Sequence, residues 1–354
     1  MTESHSALHT VICDLFGIKY PIVQTGMGYV ATPRLTAATS NAGGLGILAS
    51  GTLDIPETEA AIIKTKELTD KPFGVNMRGD SPDLVERSKL LVKHGVKVAS
   101  FALAPNERVI KDLKNSGLIV IPSIGARRHA EKVAAWGVDA VLVQGGEGGG
   151  HTGQVPTTIL LPQVVDAVDI PVVGAGGFAD GRGLVAALAY GAAGIAMGTR
   201  FLLTSDSEVP AQVKQEYLVR TVNDTVVTSL MDGVPQRILR TPFAEKLLKS
   251  SAPARLARSA KAALEFQKMS HISWPDMVRE GLTMKKTHEL KWSQVLMAAN
   301  TPIMLKSSMV DGRVDLGTLA SGQVMGRIDD LPSCQELIDR IMVEANDTLK
   351  RLGT

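Results

Sequence analysis

The chain of 354 residues has little cysteine, few aromatic side chains and almost no net charge. Its two cysteines, Cys13 and Cys334, lie at opposite ends of the sequence, which argues against a disulfide framework and against a zinc site of closely spaced cysteines. This cysteine usage is typical of a reducing compartment, and we expect a cytoplasmic protein. The formal net charge of +2 argues against a protein that coats nucleic acid.

Long uninterrupted hydrophobic runs are also missing from the sequence. A membrane-spanning helix needs about 18 or more consecutive apolar residues, and the nearest approach, residues 183–198, is interrupted by Gly191 and Gly194. The first eleven residues are polar and lack the basic and apolar regions of a signal peptide. We therefore expect no membrane partner. The hydrophobic fraction of 44% is enough for a sizeable core, which excludes wholesale disorder.

What the sequence does contain is a regular series of short apolar runs separated by glycine-rich turns. Most runs are continuously apolar, as expected of strands buried on both faces of a parallel sheet. With helix-like stretches between them, eight such repeats predict an α/β fold, a (β/α)8 TIM barrel. The alternative is a doubly wound open sheet, but no run is followed by its GxGxxG fingerprint. The predicted strands are residues 21–27, 44–50, 72–78, 96–103, 118–124, 140–147, 171–178 and 194–201.

The sequence changes character after residue 209. Residues 210–305 lose the strand rhythm and are predicted to be helical, while residues 306–354 return to the barrel with a closing helix over 333–352. We expect a barrel domain at 1–209 and a smaller, mainly helical domain at 210–305. Thirteen lysines and arginines but five acidic residues lie between Arg237 and Lys306. This basic segment is either a set of solvated helix faces or a surface for a polyanionic substrate.

Two glycine-rich strand ends are candidates for a phosphate site, because TIM barrels carry their chemistry at the carboxyl ends of their strands. Residues 174–178 end the seventh predicted strand, and residues 197–200 lie in the eighth. Glycines there let backbone N–H groups approach a phosphate, and the following helix N-termini favour negative charge. Tight turns without a ligand are the alternative.

A further glycine-rich segment follows the sixth predicted strand and ends at a histidine. Five of the seven residues from Gln144 to Gly150 are glycine, a composition that suits a backbone lying against a flat ligand better than it suits packing. His151 is therefore a candidate acid, base or hydrogen-bond donor. Asn76 and Gln24 carry amides that can donate and accept toward a heterocycle. The other histidines show no metal-ligand spacing, so we expect no metal site.

The order and spacing of these motifs resemble those of the nitronate monooxygenase family (older name 2-nitropropane dioxygenase), which includes flavin-dependent enoyl reductases of fatty-acid synthesis. The resemblance covers residues 21–207 and 312–337. It is carried by Gln24-Thr25-Gly26-Met27, residues 41–46, Gly74-Val75-Asn76, residues 149–153, residues 174–180, Gly198-Thr199-Arg200-Phe201 and Gly322-Gln323. The whole chain is also similar to the actinobacterial branch of this family, which breaks down steroid C and D rings as CoA thioesters.

This resemblance implies an FMN-binding TIM barrel, with NADH or NADPH as the electron donor or acceptor. By motif matching, the isoalloxazine ring of FMN would be contacted by Gln24, Gly26, Met27 and Asn76. Its phosphate would be held by Gly176, Gly177, Gly198 and Thr199. The segment with Gln144, Gly149 and Gly150 would face the flavin. His151 matches the family's catalytic histidine.

Two activities divide the family. One moves electrons between NAD(P)H and an activated alkene, quinone or similar substrate, and the other oxidises alkyl nitronates with O₂. The basic segment favours the first, with an acyl-CoA-like small molecule as substrate and Lys285 and Lys286 as candidate contacts; the second is the alternative. Whether the protein forms a homo-oligomer is left open by the sequence.

Two other classes of protein are disfavoured by the residues themselves. A barrel like inosine-monophosphate dehydrogenase needs a reactive cysteine, but Cys13 and Cys334 lie on no predicted strand-end loop. A nucleic-acid-binding protein would interleave aromatic side chains with its basic residues to stack on bases, and few aromatics do so here. We therefore expect no nucleic-acid partner.

Overall fold

The structure is a computed structural model that describes residues 6–251, 253–254, 257–260, 264, 267 and 300–353. Lys285 and Lys286, the candidate substrate contacts, lie outside the described residues. Across the described ranges, no helix is both long enough and apolar enough to cross a membrane. The chain forms two compact units, one of which holds residues up to Gly148, Thr152–Glu208 and residues from Arg327 onward.

The first unit is a closed barrel of eight parallel strands. In chain order, the strands in the described part of the chain are β1 (Ile22–Gln24), β2 (Leu45–Ala49), β3 (Phe73–Met77), β4 (Val98–Phe101), β5 (Ile119–Ile124), β6 (Val141–Gln144), β7 (Gly150–His151), β8 (Val172–Ala175), β9 (Gly194–Met197), β10 (Thr225–Thr228) and β11 (Gln236–Leu239). The barrel order is β1-β2-β3-β4-β5-β6-β8-β9, and β9 closes onto β1. Each barrel strand lies within one of the eight predicted runs, so the TIM-barrel prediction is confirmed.

Helices alternate with the barrel strands along the chain. In chain order, the helices whose bounds lie in the described residues are α1 (Val11–Phe16), α2 (Pro33–Asn41), α3 (Ile55–Leu68), α4 (Leu84–Lys93), α5 (Glu107–Asn115), α6 (Arg127–Ala135), α7 (Thr157–Val165), α8 (Gly181–Ala189), α9 (Thr199–Leu202), α10 (Ala211–Leu218), α11 (Pro242–Leu248), α12 (Asn300–Met309) and α13 (Cys334–Leu352). Short 3-10 helices occupy Ser6–Leu8 and Gln323–Arg327. The second unit contains α10, α11 and α12.

The barrel strands are buried because their side chains are apolar on both faces. Every residue of β2, β4, β8 and β9 is buried, and Val23, Ile47, Val98, Leu142 and Val173 belong to one hydrophobic cluster. Burial of one such side chain contributes about 1.5–3 kcal/mol. The sheet therefore forms a rigid base for the loops at its carboxyl end.

The closing helix α13 begins with a capping box between Ser333 and Glu336 and packs against α8 of the barrel unit. A Cβ on Gly181, the first residue of α8, would lie 2.4 Å from the carbonyl oxygen of Ile341. The close approach of the two helices therefore requires glycine at this position. Through this contact the last helix supports the element that follows β8.

The second unit comprises Gly149–His151 and Val209–Gly326. Its three-stranded sheet has the order β10-β11-β7, with both pairings antiparallel. Met231, Ile238, Ala244, Leu247 and Met304 form its buried cluster. The domain limits drawn from the sequence, 1–209, 210–305 and 306–354, stay a prediction. In the structure, residues from Arg327 onward belong to the barrel unit.

The strands β10 and β11 lie within residues 210–305, a segment that is predicted to be mainly helical. Each strand has four residues, too few for a clear alternation of polar and apolar side chains. All four residues of β10 are nevertheless β-branched, and Val226 pairs with Ile238 across the hairpin. Pairing between neighbours, which a single short run does not reveal, stabilises these strands.

Candidate active site

The carboxyl end of β1 presents a buried glutamine with an unsatisfied acceptor. Gln24 has no exposed surface, and its Nε2 donates to the carbonyl oxygens of Ile47, at 3.2 Å, and Thr25. Its Oε1 is buried without a hydrogen-bond partner. Leaving such an acceptor unpaired costs about 1–3 kcal/mol, so this atom is suited to a donor on a bound ligand.

Beside Gln24, the ends of β1, β3 and β4 are in close contact. A Cβ on Gly26 would lie 2.3 Å from Cβ of Asn76, so only glycine lets the β1 turn lie against that side chain. Nδ2 of Asn76 donates to Oγ of Ser100 at 3.2 Å, and Oγ of Ser50 donates to the Asn76 carbonyl at 2.8 Å. The sequence analysis missed Ser50 and Ser100. In the sequence, each is marked only as a serine within or at the end of an apolar run.

The ends of β8 and β9 supply the glycines expected at a phosphate site. Gly176 and Gly177 have φ values of +93° and +85°, which L side chains rarely adopt. A Cβ on Gly177 would make ordinary van der Waals contact with the Glu147 side chain, at 3.8 Å, and would clash with nothing. A Cβ on Gly198 would lie 3.3 Å from Sδ of Met27, which brings the β9 and β1 turns together. Thr199 follows as the first residue of α9.

A carboxylate fixes the glycine-rich segment after β6. Oε2 of Glu147 accepts hydrogen bonds from the backbone N–H and the Oγ1 of Thr157, both at 2.8 Å. A Cβ on Gly148 would lie 2.6 Å from Nε2 of Gln144, so the segment folds back over that amide. These contacts tie the segment to the start of α7, and they make Gln144 part of the barrel's carboxyl end.

The second unit holds the rest of the glycine-rich segment. A Cβ on Gly149 would lie 2.6 Å from the backbone nitrogen of Gly322. Gly150 and His151 form β7, which pairs with Arg237 and Gln236 of β11. The ends of this segment therefore belong to two different units, although it is continuous in sequence.

His151 forms a hydrogen bond with a buried carboxylate. Its Nε2 lies 2.9 Å from Oδ2 of Asp232, whose side chain is 11% exposed, against 52% for the histidine. Burial by itself would raise the pKa of the Asp232 carboxyl, but hydrogen bonds from His151 and Gln236 and the His151 charge hold that pKa below its ordinary value. Asp232 is therefore ionised at neutral pH. The sequence analysis missed it.

The structure thus places nine of the predicted cofactor residues at the carboxyl ends of barrel strands. These residues are Gln24, Gly26, Met27, Asn76, Gln144, Gly176, Gly177, Gly198 and Thr199. Gly149, Gly150 and His151 lie in the second unit. Among the described residues, no group of three or more His, Cys, Asp or Glu side chains is arranged to hold a metal ion.

Comparison with known proteins gives the family. The family model described as "Nitronate monooxygenase" matches residues 9–94 and 84–344. A "(3aS,4S,5R,7aS)-5-hydroxy-7a-methyl-1-oxo-octahydro-1H-indene-4-carboxyl-CoA dehydrogenase" of Rhodococcus jostii is 57% identical over 98% of this chain and 99% of its own. A protein of the same name from Mycobacterium tuberculosis is 59% identical over 96% of each chain.

Among solved structures, FabK from Thermotoga maritima superposes with a TM-score of 0.79 at 35% identity. The match covers 97% of this chain and 98% of FabK. Agreement in family model, sequence and structure therefore extends over nearly the whole chain. The chain belongs to the nitronate monooxygenase family, and it is an oxidoreductase.

Proposed function

We propose that this protein is an FMN-dependent oxidoreductase that acts on a CoA thioester of a hydroxylated, two-ring ketone derived from a steroid. The observation that carries the proposal is the identity of 57% and 59% to two CoA-thioester dehydrogenases, each matched over at least 96% of both chains. Relatives this similar over their full length generally share a substrate class. The reaction would move two electrons and one proton, the equivalent of a hydride, between the acyl part of the thioester and NAD(P)⁺ or NAD(P)H. The second proton would be released or taken up as H⁺.

The barrel's carboxyl end has the features that FMN requires. Oε1 of Gln24 is a buried acceptor without a partner, which suits a ring N–H. The left-handed backbone of Gly176 and Gly177, with no clash beside Gly177, suits a turn whose backbone N–H groups approach a phosphate. We therefore propose that Gln24, Gly26, Met27, Asn76 and Gln144 contact the flavin ring, and that Gly176, Gly177, Gly198 and Thr199 hold its phosphate, with Gly149 and Gly150 as further contacts.

Bound FMN would supply the two-electron chemistry that amino-acid side chains lack. The role left to the protein is to orient the thioester and to move a proton. A carbon next to a thioester carbonyl is acidified by that carbonyl, and a hydrogen-bond donor to the carbonyl oxygen strengthens the effect. We propose that His151 provides this donor or transfers the proton itself. NADH or NADPH is the proposed second partner of the reaction.

The alternative function is that of a nitronate monooxygenase, and the match to that family model is the observation in its favour. Two assays on one flavin-loaded preparation separate the functions. We expect the CoA thioester to support reduction of NAD⁺ or NADP⁺, with little O₂ consumption when an alkyl nitronate is supplied. Rapid O₂ consumption with the nitronate and no reaction of the thioester would contradict the proposal.

The basic segment yields a prediction about CoA binding. Reversing the charges of Lys285 and Lys286 to glutamate is expected to weaken binding of the CoA thioester by about tenfold at low ionic strength, because clustered cations attract the phosphates of CoA. The loss should shrink at high salt, which screens exposed charges. Titrations of the thioester at two salt concentrations measure the effect.

The matched control is reversal of Arg108 and Lys111 on α5, two exposed cations of the barrel unit. This variant should bind the thioester like the unmodified protein at both salt concentrations. Equal affinity for the Lys285 and Lys286 variant at low and high salt would assign that pair to a solvated surface instead.

A further inference from the structure

We propose that Asp232 is a positioning residue that fixes one tautomer of His151, so that Nδ1 is the ring nitrogen through which His151 exchanges a proton with substrate. This inference rests on the proposed function for the role of His151 in turnover. The arrangement of the His151 ring itself is independent of that function.

The pair of His151 and Asp232 is positioned by the sheet of the second unit. His151 on β7 stands in register with Gln236 on β11, and Asp232 lies in the loop that joins β10 to β11. The acid is the buried partner, with 11% of its side chain exposed, while the imidazole is 52% exposed. The carboxylate is thus held by the protein, and the ring extends from it toward solvent.

Three further donors hold the carboxylate in place. Oδ2 of Asp232 accepts from Nε2 of Gln236 at 2.5 Å and from Oγ1 of Thr301 at 3.1 Å. Oδ1 accepts from the backbone N–H of Val234 at 3.1 Å. The donors come from the β10–β11 loop, from β11 and from α12. Such a network fixes both the position of the carboxylate and its orientation toward His151.

The charge state of Asp232 decides the tautomer of His151. The network lowers the pKa of the Asp232 carboxyl in spite of burial, so the group is ionised at neutral pH and can only accept hydrogen bonds. Nε2 of His151, at 2.9 Å from Oδ2, must therefore carry the hydrogen. In the neutral imidazole Nδ1 is then the basic nitrogen.

Stability alone is a weak reason for this arrangement. An exposed ion pair contributes about 0–1 kcal/mol, while burying a carboxylate costs several kcal/mol unless donors compensate. The pairing of β7 with β11 is a backbone pairing, which does not itself require a charge at position 232. A buried, fully bonded carboxylate at a half-exposed histidine is instead the arrangement that sets a tautomer in acid–base catalysis.

The substitution Asp232→Asn changes the tautomer for a reason specific to this site. The backbone N–H of Val234 cannot reverse its role, so the amide oxygen of the asparagine stays on that side. Its NH₂ group then faces His151, Thr301 and Gln236, all of which can turn an acceptor toward it. Nε2 of His151 would become the acceptor, and the hydrogen would move to Nδ1.

The experiment uses full-length, flavin-loaded protein with ¹⁵N-labelled histidine, recorded by ¹H–¹⁵N correlation well above the ordinary imidazole pKa of about 6.5. The His151 signals are those that vanish in His151→Gln. We expect a hydrogen-bearing Nε2 and a bare Nδ1 in the unmodified protein, and the reverse in Asp232→Asn. An unmodified protein with the hydrogen on Nδ1 would overturn the proposal, whether or not the variant folds.

Kinetics supply the second measurement. We expect Asp232→Asn to lower kcat by about 100-fold, with KM for the CoA thioester unchanged within about twofold. The matched control is Asp315→Asn, which removes the same charge from an exposed pair with Arg313 in the same unit and should change neither kcat nor the His151 spectrum. A variant with the switched tautomer and full kcat would overturn the positioning role.

The proposed function and the inference about Asp232 can be contradicted independently of each other. An unmodified protein that shows the expected tautomer but does not turn over any CoA thioester would contradict the proposed function while supporting the tautomer assignment. Turnover of the thioester by a protein whose His151 carries its hydrogen on Nδ1 would contradict the inference about Asp232 and support the proposed function.

Discussion

Replacing His151 with alanine is expected to lower kcat for the CoA thioester by about 100-fold or more, with the flavin still bound. A positioned acid or base contributes about 10²–10⁴-fold to a rate, and alanine can neither donate nor accept a proton. His151 lies in the second unit, whereas the groups proposed to hold the flavin phosphate lie at the ends of β8 and β9. Turnover and the flavin content per chain measure the two effects.

The control for this variant is His129→Ala. His129 is an exposed residue of α6 in the barrel unit, and it is not among the residues proposed to hold the flavin or to move a proton. The His129→Ala variant should retain both its turnover and its bound flavin. Full activity of His151→Ala would remove His151 from the mechanism, and loss of flavin from that variant would give His151 a binding role instead.

Replacing Gly177 with valine is expected to yield protein without FMN. Gly177 follows β8 with a φ of +85°, and a Cβ there would meet no atom closer than 3.8 Å. The valine side chain would fill space at this turn, where we propose that the phosphate binds. It would exclude the phosphate sterically, and the left-handed conformation would add about 1–2 kcal/mol of backbone strain.

The effect of backbone strain can be separated from the effect on the proposed phosphate site. Gly137 has a φ of +87° with no atom within 4 Å of a built Cβ, and it follows α6 rather than a barrel strand. Gly137→Val should show a similar drop in Tm but a full complement of flavin. If Gly177→Val also retained its flavin, the phosphate would have to bind elsewhere.

The barrel could be predicted from the sequence because its strands are local signals. All five residues of β2 are buried, so the run is apolar throughout, and it ends in Ser50-Gly51, where the chain turns. The closure of the barrel, in which Ile22 of β1 pairs with Ile195 of β9, has no local signal. It followed from the number of repeats, since eight parallel repeats close on themselves.

The second unit could be predicted far less well. Asp232 lies 81 residues after His151, and the two meet only because β7 pairs with β11. The hairpin of β10 and β11 consists of four-residue strands, whose stability comes from pairing and from packing of Ile238 in the unit's core. A carboxylate that acts through such a pairing cannot be recognised from spacing along one sequence.

The most direct test of the proposed function is anaerobic stopped-flow mixing of the flavin-loaded protein with the CoA thioester named for the two dehydrogenases. The account predicts rapid bleaching of the flavin absorbance in the absence of O₂, with the colour restored by NAD⁺ or NADP⁺. A flavin that stays oxidised with the thioester but is bleached by an alkyl nitronate would contradict the account and make the protein a nitronate monooxygenase.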